Sequence, residues 1–434
     1  MRGQKQSLVV VPALAAVERS DGQVLITKKF VEGMTFYAEA WDGPVTALMA
    51  VVEKPTDNLD GVAVDPASLP FKLTLMRTID PASVTKHLAG AGVVLGGPFW
   101  WLRDLSALCA EVNVPSVYNT EYSLTTRLQI VFANNANPVR LLRRSLWEVN
   151  EELGHYRPEL GLADGVQCNG TPTFEAYRGL TPEPLLYFDT RVPDAELASD
   201  EQLGRANARR RQRKPLRLAF SGRLNATKGA GDLVKVAAEL DRRRVPFQMD
   251  IYGGGALEGF LRSEVQRRGL PERVALKGVV DFHSQLMPIL RDQIDLFVCC
   301  HPQGDPSCTY LETMSAGVPI VGYANEAFAG LVRQQPVGWT APLSNPGRLA
   351  DEIARLHADR EALVAGAVAA LDLARQHSFE RTFRRRIDHL AAIAARGRRP
   401  RTPRAPKDGL PRISRSSPSS SRWAAAPTAL ARWS

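Results

Sequence analysis

Apolar positions recur along this chain in two rhythms. In the second half, the runs "LRLAFSG" (216–222), "FQMDIYG" (247–253), "RVALKG" (273–278), "DLFVCC" (295–300) and "PIVGY" (319–323) are too continuously apolar for strands with one wet face. They predict strands buried on both sides, as in a parallel sheet covered by helices. Between them apolar residues return every three to four positions. "GAGDLVKVAAELDRRR" puts Leu233, Ala237 and Leu240 on one helical face, and "LEGFLRSEVQRRG" predicts a helix closed by Gly269. The first half repeats the alternation less regularly, through "LVVVPAL", "VTALMAVV", "FKLTLM", "GVVLGG", "PSVYNT" and "GVQCNG".

The fold class expected is therefore α/β, with two Rossmann-like, doubly wound domains facing each other across a cleft. The segment 201–215, "EQLGRANARRRQRKP", has no apolar face and reads as a charged linker. Expected boundaries are 1–200 for the first domain, 216–395 for the second, and 396–434 for an Arg/Pro/Ser tail with little to bury, read as disordered.

Charge changes the picture only once it is located. The formal net charge is +9 over 434 residues. From Arg396 onward ten basic residues face one acidic residue, Asp408, so the tail holds the whole excess and the folded part is balanced. A specific nucleic-acid binder is not expected. The five cysteines, Cys109, Cys168, Cys299, Cys300 and Cys308, are odd in number and contain no C-x-x-C pair, which argues against a disulfide framework and for a reducing, cytoplasmic setting. The start, "MRGQKQSLVVVPALAAVE", superficially resembles a signal peptide, but Pro12 interrupts the run and a buried first strand, Leu8–Val11, is the preferred reading. No apolar run reaches the roughly 20 residues that span a bilayer. One helix, "VRLLRRSLWEVNEEL" (139–153), carries Leu142, Leu146 and Val149 in a stripe beside Arg140, Arg143 and Arg144. Such a helix with Trp147 can lie on anionic lipid, making contact at the periphery of a membrane; the simpler reading turns the stripe to the core.

Open parallel sheets bind ligands beyond the carboxyl ends of their strands. After "LRLAFS", Gly222 allows a tight turn, and Arg223 and Lys228 put two cations at a helix start, suited to a diphosphate. After "FQMDIY", Gly253-Gly254-Gly255 permits close backbone approach, but Glu258 stands where a dinucleotide fingerprint needs its third glycine, which disfavours NAD. The stretch "QGDPSCTYLETMSAGVPIV" (303–321) holds Asp305, Ser307, Cys308, Thr309 and Glu312. Cys308 has no histidine at recognisable spacing and no cationic neighbour in sequence, so a thiol nucleophile is not expected.

Together "SGRLNATKG", "IYGGG", "LKGVV", "DLFVCC" and "LETMSAGVPIVGY", in this order and spacing, resemble the nucleotide-sugar-binding domain of retaining GT-B glycosyltransferases, the group related to glycogen synthase. The resemblance covers about residues 216–390. It implies that Arg223 and Lys228 neutralise a donor diphosphate, that Glu312 accepts from ribose hydroxyls, and that Leu276 to Gly278 lie against the base, with Ser307 and Thr309 near the phosphates. The family's other glutamate would fall at Gly304, and Asp305 is expected to take its role at the donor sugar. The family's first-domain histidine corresponds to Asn119, followed by Glu121, and its glycine-rich turn towards the phosphates to Gly33. His301 could line the cleft, although a supporting place behind it is the simpler expectation.

What the resemblance implies is a retaining, metal-independent glycosyltransferase that uses a nucleoside-diphosphate sugar as donor substrate, no cofactor, and a glycan or lipid-linked hydroxyl acceptor, in surface polysaccharide or glycolipid synthesis. A non-catalytic nucleotide-sugar-binding subunit and a nucleotide-sugar epimerase on the same fold are the alternatives.

Overall fold

The computed structural model describes residues 6–53, 61–98, 102–134 and 137–399. Residues 400–434, most of the predicted tail, lie outside that range.

The second domain is built on six parallel strands. Their spatial order is Val274–Gly278, Phe247–Tyr252, Leu216–Ser221, Leu296–Cys299, Ile320–Tyr323 and Gly338–Ala341. Numbered along the chain this is 3-2-1-4-5-6, the doubly wound order whose winding reverses between the first and fourth strands. That reversal opens a crevice where Ser221 and Cys299 end. The strands are apolar on both faces because helices cover both, and one continuous core includes residues from Phe188 to Ala374.

The first domain repeats the plan with an addition. Lys72–Met76, Val45–Val51, Leu8–Val10, Val93–Gly96, Ser116–Thr120, Gly165–Asn169 and Pro184–Tyr187 pair in that order, all parallel. Three further strands, Ala15–Glu18, Val24–Thr27 and Gly61–Val64, extend it as an antiparallel ribbon. The sequence held a signal for this ribbon in Asp21-Gly22, with Gly22 at φ +82° between two short alternating segments.

Two segments depart from the boundaries drawn from sequence. The stretch 201–215 is not a free linker. Asp200–Arg211 is a helix opened by a capping box between Ser199 and Gln202 and docked on the second domain. It lacks an apolar face because Arg210 does the docking: fully buried, its guanidinium donates to the carbonyls of Asp295 (3.2 Å) and Gly317 (2.9 Å) and to Asn207 Oδ1 (2.8 Å). Burial lowers this guanidinium to a pKa of about 10. The final helix, Phe379–Arg396, falls in the 216–395 range but for its last residue, yet it packs on the first domain, where Phe383, Ile387, Leu390 and Ile393 share a core with Leu8, Val10, Met34 and Leu95. Sequence adjacency suggested the second domain, whereas the apolar stripe found its complement on the first sheet.

The helix Pro138–Glu151 is turned opposite to the core-facing reading. Leu142 and Leu146 point outward, while Glu148 is buried.

Candidate active site

The crevice of the second sheet faces the carboxyl ends of the first sheet, and a cleft of about 290 Å³ lies between them. From the second domain it is lined by Lys228, Asp305, Pro306, Ser307, Cys308, Thr309 and Glu312; from the first by Lys29, Glu121, Tyr122 and Asn169; and from the segment joining them by Asp189 and Arg191.

Lys228 is set by its local turn. Asn225 caps the short 3₁₀ turn Ala226–Lys228, accepting from the Lys228 amide at 3.0 Å, and this fixes the side chain's direction. Its Nζ donates to Asp305 Oδ2 at 2.7 Å and reaches Ser307 Oγ at 3.3 Å. Gln303 donates to the same Asp305 oxygen at 3.0 Å. Burial is the largest influence and raises the Asp305 carboxyl, but the Lys228 charge, His301 and the hydrogen bonds from Lys228 and Gln303 together outweigh it, and the net direction is downward. Asp305 Oδ1, Gln303 Oε1 and both ring nitrogens of His301 are buried with no hydrogen-bond partner among the described residues, a concentration of unmet polar atoms behind one loop. Burial and the Lys228 charge together hold His301 at a pKa of about 3, so it is neutral.

Gly304 explains why the expected glutamate is absent. A side chain there would meet Glu326 Cβ at 3.0 Å and Thr126 Oγ1 at 3.3 Å. The backbone is clamped from the first domain, its N–H donating to Gln129 Oε1 (2.8 Å) and its carbonyl accepting from Thr126 (3.2 Å). Asp305 is therefore the carboxylate of this loop that enters the cleft.

Glu312, on the buried helix Cys308–Ser315, accepts from Arg191 Nε at 2.8 Å. Arg191 in turn lies over the Phe282 ring, 3.8 Å from its centroid. At the opposite wall Lys29 donates to Asp189 Oδ2 at 2.5 Å and approaches Cys308 Sγ at 3.2 Å. Burial works against the Lys29 ammonium, yet Asp189 beside it holds its pKa well above the ordinary value. Cys308 thus has a cationic neighbour that sequence spacing could not show. It is still no nucleophile, because burial pushes its thiol up to about 12. Glu121 meets solvent at the cleft mouth but is otherwise walled by protein, and that enclosure, followed by Asp189, raises its carboxyl.

Several residues singled out from sequence stand elsewhere. Gly33 is not in a turn facing the cleft; it lies inside the helix Lys28–Ala40, where an added Cβ would sit 3.0 Å from the Phe383 ring, so it lets two helices cross closely. Asn119 accepts from the Tyr187 hydroxyl at 2.6 Å and does not line the cleft. Gly253, at φ +121°, approaches backbone rather than ligand, since a Cβ there would fall 2.0 Å from the Gly222 carbonyl. Gly255 is pressed in the same way on Leu224, and the Gly253 amide donates to Gly278 (2.7 Å), so Gly222, Gly253, Gly255 and Gly278 tie three strand ends together. Leu276 packs on the second core. Arg223 is exposed and off the cleft lining, near enough to Tyr122 for its charge to act on that phenol.

Lys29, Asp189, Arg191 and Tyr122 were missed. One signal was present for Lys29: two lysines open a helix with no acid in its first turn, against the macrodipole. Asp189 and Arg191 follow the strand Pro184–Tyr187 directly, where ligand-facing residues gather in such sheets.

Comparison with known proteins bears on the family and the fold. Residues 205–366 match the family model described as glycosyl transferases group 1. Among curated proteins, the GtfA subunit of a UDP-N-acetylglucosamine–peptide N-acetylglucosaminyltransferase from Streptococcus pneumoniae is 26% identical over 150 residues, 34% of this chain and 28% of that protein. The putative colanic acid biosynthesis glycosyltransferase WcaL of Escherichia coli is 25% identical over 146 residues, 32% of this chain and 36% of its own length. These matches span about a third of the curated relatives. Among solved structures, HepE of Anabaena, determined in complex with UDP, has the same fold with a TM-score of 0.59 at 14% identity, covering 89% of this chain and all of that one. Residues 205–366 are thus similar to the group 1 glycosyl transferases, and the chain has the two-domain GT-B fold.

Proposed function

We propose that the chain is a retaining glycosyltransferase that moves a sugar from a nucleoside-diphosphate sugar to a hydroxyl of a glycan or lipid-linked acceptor, in the synthesis of a polysaccharide or glycolipid. The observation that carries this reading is the convergence of Lys228 with Asp305 and Glu312, from a loop and helix 77 or more residues further along the chain, on one cleft at the switch point of the second sheet. An ammonium has three donors, so Lys228 can keep Asp305 and Ser307 and still address a phosphate. Arg223, Lys228 and the N-terminus of Cys308–Ser315 would then offset the charge that grows on the departing diphosphate, without a metal ion. Asp305, held at Oδ2 by Lys228 and Gln303, lines the cleft and would face the donor sugar and the positive charge that develops at its anomeric carbon. Glu312 takes the ribose, steered by Arg191. Glu121, its carboxyl raised, stands at the acceptor side as the group able to exchange a proton with an incoming hydroxyl.

A nucleotide-sugar-binding subunit without turnover is the second reading, favoured by Asn119 being held by Tyr187 where the family has a histidine. Incubating the protein with labelled UDP-, GDP- and ADP-sugars and candidate acceptors, with and without EDTA, separates the readings. EDTA-insensitive transfer with the anomeric configuration kept supports the first. Binding without transfer or diphosphate release supports the second, and an epimerised sugar would overturn both.

A further inference from the structure

The helix Pro138–Glu151 and its continuation are built inside out. Val139, Leu142, Leu146 and Leu153, together with Phe132 on the preceding helix, are between 55% and 66% exposed. On the inner side, Glu148 and Glu152 are buried and hold Arg127, itself buried, at 3.2 and 2.6 Å. The Arg127 guanidinium lies 4.2 Å from the Tyr156 ring centroid, and Tyr177 donates to Glu152 at 3.1 Å. Burying such a network has a desolvation cost that apolar packing would not have. A helix with four large apolar residues to hand would ordinarily turn them inward, and a buried ion network opposite an exposed apolar stripe is the informative reversal. The network fixes the helix rotation so that the stripe faces out.

The charge on this face points to what covers it. Each nearby carboxylate is withdrawn: Glu148 and Glu152 into the network, and Glu151 to Arg103 at 2.5 Å. Arg140 and Arg143 flank the stripe with no ion pair among the described residues. Trp147 lies under the Arg144 guanidinium at 4.1 Å. An outward surface of leucines, arginines and a tryptophan, with its acids removed, complements an anionic surface with an apolar interior. We infer that this face docks on anionic bilayers, with Leu142 and Leu146 entering the headgroup region and Arg140 and Arg143 meeting lipid phosphates. No described helix is long and apolar enough to cross a membrane, so the contact is interfacial. The inference does not depend on the catalytic reading.

Flotation of the full-length protein with vesicles of phosphatidylcholine alone, or mixed with phosphatidylglycerol, tests it. Wild type should partition onto the anionic vesicles only. Arg140→Gln with Arg143→Gln should reduce that partition roughly tenfold to thirtyfold, since each basic residue near such a surface contributes about a factor of five. Leu142→Ser with Leu146→Ser should abolish it although the basic sequence beyond Arg399 is intact. These side chains are exposed, so an unchanged melting temperature confirms that each variant is folded. Equal binding by wild type and the leucine variant would assign attachment to the tail and overturn the inference. So would failure of wild type to float. A concentration-dependent dimer that the leucine variant abolishes, without vesicle binding, would overturn it in favour of a second copy of this chain.

Discussion

Lys228 and Asp305 form a buried ion pair, 2.7 Å from Nζ to Oδ2, that joins the loop after the first strand of the second sheet to the loop after its fourth. The pair spans the switch point, so one contact both closes the domain's crevice and orients two groups assigned to a ligand. Lys228→Ala should therefore do more than weaken nucleoside-diphosphate binding. It leaves Asp305 buried without its partner, and destabilisation of about 3–5 kcal/mol in urea unfolding is expected. Arg223→Ala, at an exposed residue, should weaken diphosphate binding with little loss of stability. Combining Lys228→Met with Asp305→Leu should restore much of the stability but not the binding. Equal stability of the two single variants would show that the pair is energetically idle.

Glu312 and Asp305 should separate by what they touch. Glu312→Gln is expected to weaken every ribose-containing ligand, bare nucleoside included, by roughly tenfold, because the amide accepts at one end only. Asp305→Asn should leave nucleoside-diphosphate affinity within a few-fold and lower turnover of the sugar donor. Calorimetric binding set beside steady-state rates provides both readouts. If both variants lost nucleotide affinity alike, the sugar role of Asp305 would be wrong.

Stability should fall as pH drops below neutrality, in part through His301. Its folded pKa is about 3 against an ordinary value near 6.5. Between those values the unfolded chain binds a proton that the folded one does not. Its contribution is thus present above pH 6.5 and is lost progressively towards pH 3, by at most about 1.4 kcal/mol per pH unit. His301→Phe, placed between Phe220 and Tyr310, should flatten the urea-midpoint slope between pH 6.5 and 4 by about that amount. An unchanged slope would place the proton uptake on other groups.

Cys308 lines the cleft but should react slowly with iodoacetamide at pH 7, because its thiol lies near 12. Rates far below those of a free thiol, and near wild-type turnover in Cys308→Ser, are expected. Rapid alkylation would mean that Lys29 holds a thiolate.

Truncation should show a sharp edge. Ending the chain after Arg399 keeps the last helix and the Arg399 amide's hydrogen bond to Asp164 at 3.1 Å, and the melting temperature should barely move. Ending it before Phe379 removes Phe383, Ile387, Leu390 and Ile393 from the first domain's core, each worth roughly 2–5 kcal/mol, and the first domain should not fold. The two cuts compared by circular dichroism decide where the structured chain ends.

What the sequence determined by itself was local. Strands such as Leu216–Ser221 and Leu296–Cys299 were legible because burial on both faces leaves a continuous apolar run, and Lys228 was a candidate because it follows the carboxyl end of a strand, where such sheets hold ligands; Asp305 and Glu312 were candidates through the family resemblance. Tertiary structure decided whatever depended on a distant partner. Lys29 joined the cleft through Asp189, 160 residues away, and Gly33 met Phe383 rather than a phosphate. The helix Asp200–Arg211 looked like a linker because its docking rests on Arg210 and distant carbonyls, which leave no periodic trace. The stripe of 138–151 was plain in sequence, but its direction was not. A hydrophobic period fixes which residues share a face, and only the buried charges opposite determine whether that face turns inward or out.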